Sequence, residues 1–168
     1  MILTRDKIKE EIKKGNISIT PFNIKNLGAA SYDLTLDNKF RVFIKDGEFK
    51  VNNNSDYKKI TKSITVKDYY TLKPGEFILG ITKERIKLND NIAGFLTGRT
   101  RFARLGLLVH ITANFVQPGV NNKQVLEIKN VSNRTFKLYP GTKLLQIIFV
   151  RCKGNANYKG KFKEQLNP

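Results

Sequence analysis

A mainly β fold, an antiparallel sandwich or barrel preceded by one short helix, is what this sequence predicts. Three observations carry that expectation. After the first sixteen residues the apolar period changes from that of a helix to strict alternation. The alternating runs are short and rich in branched and aromatic residues, and turn formers such as Pro74-Gly75, Pro118-Gly119 and Pro140-Gly141 recur between them. Only one segment has the length and spacing of a helix, so there are no crossovers to join parallel strands.

The helix is expected over Arg5 to Lys14, with Thr4 as its cap, Leu3 placed to staple onto Ile8, and Gly15 as its stop. Strands are expected at Ile17 to Thr20, Tyr32 to Leu36 and Phe40 to Ile44. A polar loop at Asn52 to Asp56 follows, set in a lysine-rich excursion that reads as solvated surface. Further strands are expected at Phe77 to Ile81, Ile92 to Leu96, Leu105 to Val109, Ile111 to Val116, Val125 to Ile128, Thr135 to Leu138 and Leu144 to Val150, with Asn121-Asn122 as punctuation. Residues 1–152 form one domain, and 153–168 a mobile tail with few apolar residues.

Composition narrows the function classes. The 168 residues carry 31 Lys and Arg against 14 Asp and Glu, a formal charge of +17, which favours an anionic partner: nucleic acid, an anionic surface or a polyphosphate. Nucleic acid is disfavoured, because there is no Trp and no basic stretch interleaved with aromatic residues. One cysteine, Cys152, excludes an internal disulfide and reads as inert core in a reducing, cytoplasmic setting. One Cys and one His cannot build a zinc site of the Cys and His type, and no Cys-x-x-Cys exists. No run approaches the ~20 apolar residues of a membrane span.

Chemistry concentrates in Gly98 to Gly106 and in His110 to Glu127. The first stretch places Arg99, Arg101 and Arg104 beside Thr100 between two glycines, an arrangement suited to phosphate because a guanidinium fork donates paired hydrogen bonds to anionic oxygens. The second sets Glu127 inside an apolar run, where a carboxylate must be paired or perturbed. Glu127 thus has two readings from the residues alone, a structural acid paired to an arginine or a proton-transfer group. His110 reads as a packed or hydrogen-bonded residue and Asp33 as a turn or interface residue.

Leu72-x-Pro74-Gly75-Glu76-Phe77, Thr82-x-Glu84-x-Ile86-x-Leu88, Gly98-Arg99-Thr100-x-x-Ala103-Arg104-Leu105-Gly106-Leu107, His110-x-Thr112-Ala113, Pro118-Gly119, Val125-Leu126-Glu127 and Tyr139-Pro140-Gly141 occur in that order. Together they resemble the dCTP deaminase branch of the dUTPase-like superfamily, from Leu3 to Gln165. The resemblance implies a distorted jelly roll, a homotrimer with active sites shared between subunits, and zinc-independent conversion of dCTP to dUTP and ammonia with magnesium on the triphosphate. It makes Glu127 the general acid and base, Thr100 a hydroxyl that positions water, and Arg99 and Arg104 the groups that bind phosphate and stabilise the reacting centre. It also puts Phe102, Ala103, Val125 and Leu126 in the substrate-binding set, and Tyr158, Lys161 and Gln165 in a segment that closes over base and triphosphate.

Two positions depart from the family pattern. Arg101 replaces a small residue beside the site, and has two readings, a further phosphate contact or a side chain pointing to solvent. Gln117 stands where the family has an aspartate that contacts the deoxyribose hydroxyl in the deaminases and activates water in the dUTPases; an amide retains the hydrogen bond but is no general base. The expectation is therefore a dCTP deaminase, with a dUTP pyrophosphatase or a bifunctional enzyme as the alternative, and a non-catalytic nucleotide binder as the reading from another class.

Overall fold

The computed structural model describes residues 1–44 and 47–168; Lys45 and Asp46, in the lysine-rich excursion, lie outside the described residues. The chain opens with helix α1 (Arg5–Lys13), whose Ile8 is buried against the core with Leu3, as a staple requires. Thr4 sits at the N-cap, but its hydroxyl donates to Asp6 rather than accepting from a helix N–H, so the expected side-chain cap is absent. The buried Glu11 is held by Arg151 at 2.6 Å, which ties the helix to the last strand.

Twelve strands follow: β1 (Ile17–Thr20), β2 (Tyr32–Thr35), β3 (Lys39–Phe43), β4 (Thr61–Thr65), β5 (Tyr70–Leu72), β6 (Phe77–Leu88), β7 (Ile92–Gly98), β8 (Leu107–Val109), β9 (Phe115–Val116), β10 (Asn121–Asn130), β11 (Phe136–Leu138) and β12 (Lys143–Arg151). A four-residue helix, α2 (Thr100–Ala103), lies between β7 and β8. Every strand pairing is antiparallel. One sheet runs β4-β3-β6-β10-β8 with β1 added to β6, a second runs β2-β12-β7-β9, and β5 pairs with β11. The two larger sheets enclose a core in which Tyr32, Phe40 and Phe149 are fully buried. The mainly β class with one terminal helix of more than a single turn is as the sequence predicts.

The differences have local causes. β6 continues seven residues past the expected end at Ile81, because Ile86 and Leu88 keep alternating with the exposed Lys83 and Lys87. The solvated excursion contains β4, which pairs with β3 through Thr61 to Thr65. Asn121-Asn122 is strand, not punctuation: both residues continue β10 along β6. Conversely, Ile111 to Asn114 is not strand. His110 is at φ +57, in the left-handed region, and the turn it starts sends the next two backbone N–H groups to a side chain instead of a ladder. Cys152 is partly exposed rather than core.

Candidate active site

β10 lies between β6 and β8 and carries Glu127 near its middle. Pairing jumps from Lys123–Arg85 to Val125–Ile81, three residues of β6 standing opposite one of β10. The extra residues belong to β6, and burial along β10 keeps alternating, with Asn122, Gln124, Leu126 and Ile128 buried. Asn122, Gln124, Val125 and Glu127 all line one cleft of about 520 Å³. Leu126, which the resemblance puts in the substrate-binding set, is not part of the cleft lining, and its side chain is buried in the core.

Glu127 is the only carboxylate lining this cleft among the described residues. One of its oxygens accepts from the Thr112 backbone N–H at 2.9 Å and from that of Ile111 at 3.2 Å, and the Thr112 hydroxyl lies 2.7 and 2.8 Å from the two oxygens. Partial burial works to raise its pKa, but these donors outweigh burial and hold the carboxyl below its ordinary value. The acid is ionised and oriented, which suits acceptance of a proton from water. His110, 8% exposed, pins the same turn: its backbone N–H donates to the Glu127 carbonyl at 2.6 Å and its Nε2 meets the Ala113 carbonyl at 2.8 Å. Only an N–H can face a carbonyl, so Nε2 carries the proton, and burial pushes the ring pKa down toward the neutral form. It is packed and hydrogen-bonded, as its isolation in the sequence suggests.

Gln117, Tyr158 and Gln165 also line the cleft. The tail reaches it by passing over the Pro118-Gly119 turn, where the Tyr158 N–H donates to the Pro118 carbonyl at 2.9 Å. Gly119 is at φ +79, and a Cβ there would run into Asn157, so this crossing requires glycine twice over. Lys161 is not in the lining; its ammonium lies 3.7 Å from Asp56, largely in solvent.

The arginine stretch lies elsewhere on the surface. None of Arg99, Thr100, Arg101, Phe102, Ala103 and Arg104 lines the Glu127 cleft. Thr100, Arg101, Ala103 and Arg104 are exposed on and just after α2, while Phe102 is partly buried against the core. Arg99 is half-buried, 3.2 Å from the Asp33 carboxylate and donating to the Lys143 carbonyl at 3.1 Å. Asp33 is thus a strand residue that fixes an arginine. One chain brings Glu127, Gln117, Val125, Tyr158 and Gln165 together and leaves the α2 group apart.

The model of the dCTP deaminase-like family matches residues 2–152. The chain belongs to the dCTP deaminase-like family. Among its relatives, a protein of Mycolicibacterium vanbaalenii named "dCTP deaminase, dUMP-forming" is 34% identical over all of this chain and 93% of its own length. One of the same name from Salinispora tropica is 36% identical over all of this chain and 92% of its own. In structure the chain is similar to the 2'-deoxycytidine 5'-triphosphate deaminase of Agrobacterium tumefaciens, with a TM-score of 0.70 at 17% identity over 88% of this chain; this chain spans 47% of that protein. It is also similar to the dUTPase of EIAV, with a TM-score of 0.54 at 16% identity over 86% of this chain and 94% of that one. These likenesses establish the dUTPase-like fold.

For a dCTP deaminase-like chain, several cleft residues carried little signal in sequence. Thr112 stood inside a motif without a role, and its hydroxyl and N–H seat Glu127. Asn122 had the composition of a turn, and Tyr57 belonged to the lysine-rich excursion, yet both line the cleft. Only pairing across the sheet and the path of the tail bring them there. No helix among the described residues is long and apolar enough to cross a membrane.

Proposed function

We propose that the cleft binds dCTP and that Glu127 is the general base and acid of its hydrolytic deamination. The observation that carries this reading is the lone cleft carboxylate, ionised and oriented by the Thr112 and Ile111 donors. Water attacks the ring carbon bearing the amine; Glu127 takes the water's proton and delivers it to the adjacent ring nitrogen. A second proton transfer expels the amine as ammonia, leaving the uracil carbonyl.

The names of the relatives bear on the expectation drawn from Gln117. The relatives in this family bear the name dUMP-forming, and on that ground we extend the proposal: a second water displaces diphosphate from dUTP, giving dUMP. Gln117 lacks a carboxylate to activate that water, so Glu127 is the base available for it in this cleft.

The triphosphate is assigned to Arg99, Thr100, Arg101 and Arg104 of another copy, with Phe102 and Ala103 shaping the contact. Their separation from the Glu127 cleft within one chain supports a homotrimer with shared sites. So does the exposed Phe95–Phe115 pair, with ring centroids 5.2 Å apart, as an apolar patch suited to burial. The tail, through Tyr158, Lys161 and Gln165, closes over the nucleotide. In this proposal magnesium comes with the triphosphate, where it neutralises phosphate charge, and the chemistry uses no zinc.

The test is product analysis with dCTP and, separately, dUTP under magnesium. Ammonia together with dUMP and diphosphate is the expected result from dCTP. Ammonia with dUTP accumulating restores the simple deaminase, and turnover of dUTP alone removes the deaminase reading. A zinc-selective chelator should leave all rates unchanged.

A further inference from the structure

Two buried amides of the cleft have no task in the reaction just described. Asn122 and Gln124, 5% and 8% exposed, line the cleft two positions apart on β10. Their hydrogen bonds run in one direction. Asn122 Nδ2 donates to the Phe162 carbonyl of the tail at 2.6 Å. A carbonyl only accepts, so Asn122 must turn its NH2 to the tail and its Oδ1 to Gln124, whose Nε2 donates to it at 2.5 Å. Gln124 is thereby oriented with its own carbonyl oxygen at the free end of the relay. Its backbone is fixed as well, since the Gln124 N–H donates to Thr82 Oγ1 at 2.9 Å. On the tail side the Asn121 and Lys123 N–H groups donate to the Lys163 and Gln165 carbonyls at 2.9 and 3.0 Å.

We infer that Gln124 is a specificity-determining residue whose side-chain carbonyl accepts a hydrogen bond from the bound nucleotide, and that Asn122 couples this contact to closure of the tail through Phe162. The inference rests on the cleft being the nucleotide site. A cytosine deoxynucleotide carries the required donor chemistry in two places, the exocyclic amine and the sugar hydroxyl. Gln124 and Glu127 are three residues apart on one strand, about 10 Å, a separation that a nucleoside spans. The coupling follows from satisfaction of buried amides: with the tail away, Asn122 Nδ2 loses its acceptor and Gln124 loses its fixed orientation. Nucleotide and tail each favour the other's placement, and the linkage is reciprocal.

Gln124→Met keeps the side-chain length and removes the amide. In the full chain it should raise KM for dCTP about three- to tenfold, the worth of one neutral hydrogen bond, with kcat within about twofold. Comparing dCTP with 2',3'-dideoxycytidine triphosphate distinguishes the two donors: a penalty that vanishes with the dideoxy nucleotide assigns the contact to the sugar hydroxyl, and one that persists assigns it to the amine. Tail closure is read by trypsin cleavage at Lys161 and Lys163, in a Glu127→Gln background so that dCTP persists. Nucleotide should slow this cleavage, and both Gln124→Met and Asn122→Ala should abolish the protection, a readout that loss of packing alone would not move. Unchanged KM together with intact protection in Gln124→Met overturns the inference; if that variant does not fold, intact protection in Asn122→Ala does so. If the unsubstituted protein neither binds nor deaminates dCTP, the functional reading itself fails, an outcome distinct from a silent Gln124.

Discussion

On β10 the carboxylate of Glu127 is seated before any ligand arrives, with donors from Thr112 and Ile111 in place and its pKa held down. On α2 the opposite holds: Thr100, Arg101 and Arg104 stand exposed on a single turn of helix, and only Arg99 is anchored, to Asp33 and the Lys143 carbonyl. Under the proposed function the contrast says which part of the site carries the fixed geometry. Proton transfer tolerates little misplacement, which fits a group set within a sheet. Charge attraction acts over a longer range, so on that proposal cations on a short exposed helix suffice to meet a triphosphate.

The contrast can be broken hardest at Glu127. Glu127→Gln should lower deamination by about 10² to 10⁴, the usual worth of general acid–base assistance, while dCTP affinity by calorimetry stays within about tenfold. Loss of binding in proportion to rate would erase the division of labour. Arg104→Ala should lower affinity and rate together, by about ten- to a hundredfold, since it removes a charged hydrogen bond. Mixing the two impaired variants under conditions that exchange subunits should raise activity above the sum of the two, because some sites then pair an intact Glu127 with an intact Arg104. No recovery from the mixture would place both groups in sites of a single chain.

Smaller effects sharpen the comparison. Gln117→Asp adds a second carboxylate to the cleft and should raise dUTP hydrolysis up to about tenfold with deamination preserved, read as diphosphate release. Thr112→Val removes a donor that favours ionised Glu127. A base must be deprotonated to act, and the folded-state pKa of Glu127 lies below its ordinary value. Activity of the unsubstituted protein should therefore fall only as pH drops through that lowered value, and Thr112→Val should move the acid limb of kcat/KM to higher pH. The sign for stability is the same: the contribution of these bonds is present above the unfolded pKa and is lost as pH falls through the folded one. An acid limb unmoved in Thr112→Val would detach the profile from Glu127.

The regular parts of the fold were legible because one-sided burial enforces alternation. β1, β2, β3 and β12 fall within a residue or so of their expected spans. The misreadings cluster where a local signal has another cause. Asn121-Asn122 has turn composition but is strand, because the tail and the cleft give those amides partners that a sequence does not display. Ile111 to Asn114 has strand composition but is a turn, because left-handed His110 and the Glu127 carboxylate claim its backbone. Glu127 was conspicuous as an acid in an apolar run. Its seat on Thr112 was not, since the two are fifteen positions apart in sequence.

β6 has a consequence for how the chain is made. Its twelve residues take their neighbours from β1 and β3, synthesised earlier, and from β10, which begins at Asn121. Until the ribosome has delivered β10, one edge of β6 is an unpaired row of backbone groups flanked by Ile78, Ile81 and Ile86. All three are fully buried in the finished fold. An exposed apolar edge of that length is a template for adding strands from other chains. Chains from which β6 has emerged and β10 has not are therefore the species expected to aggregate, and Lys83 and Lys87, which are exposed along the same strand, are the charges that oppose stacking while the chain waits.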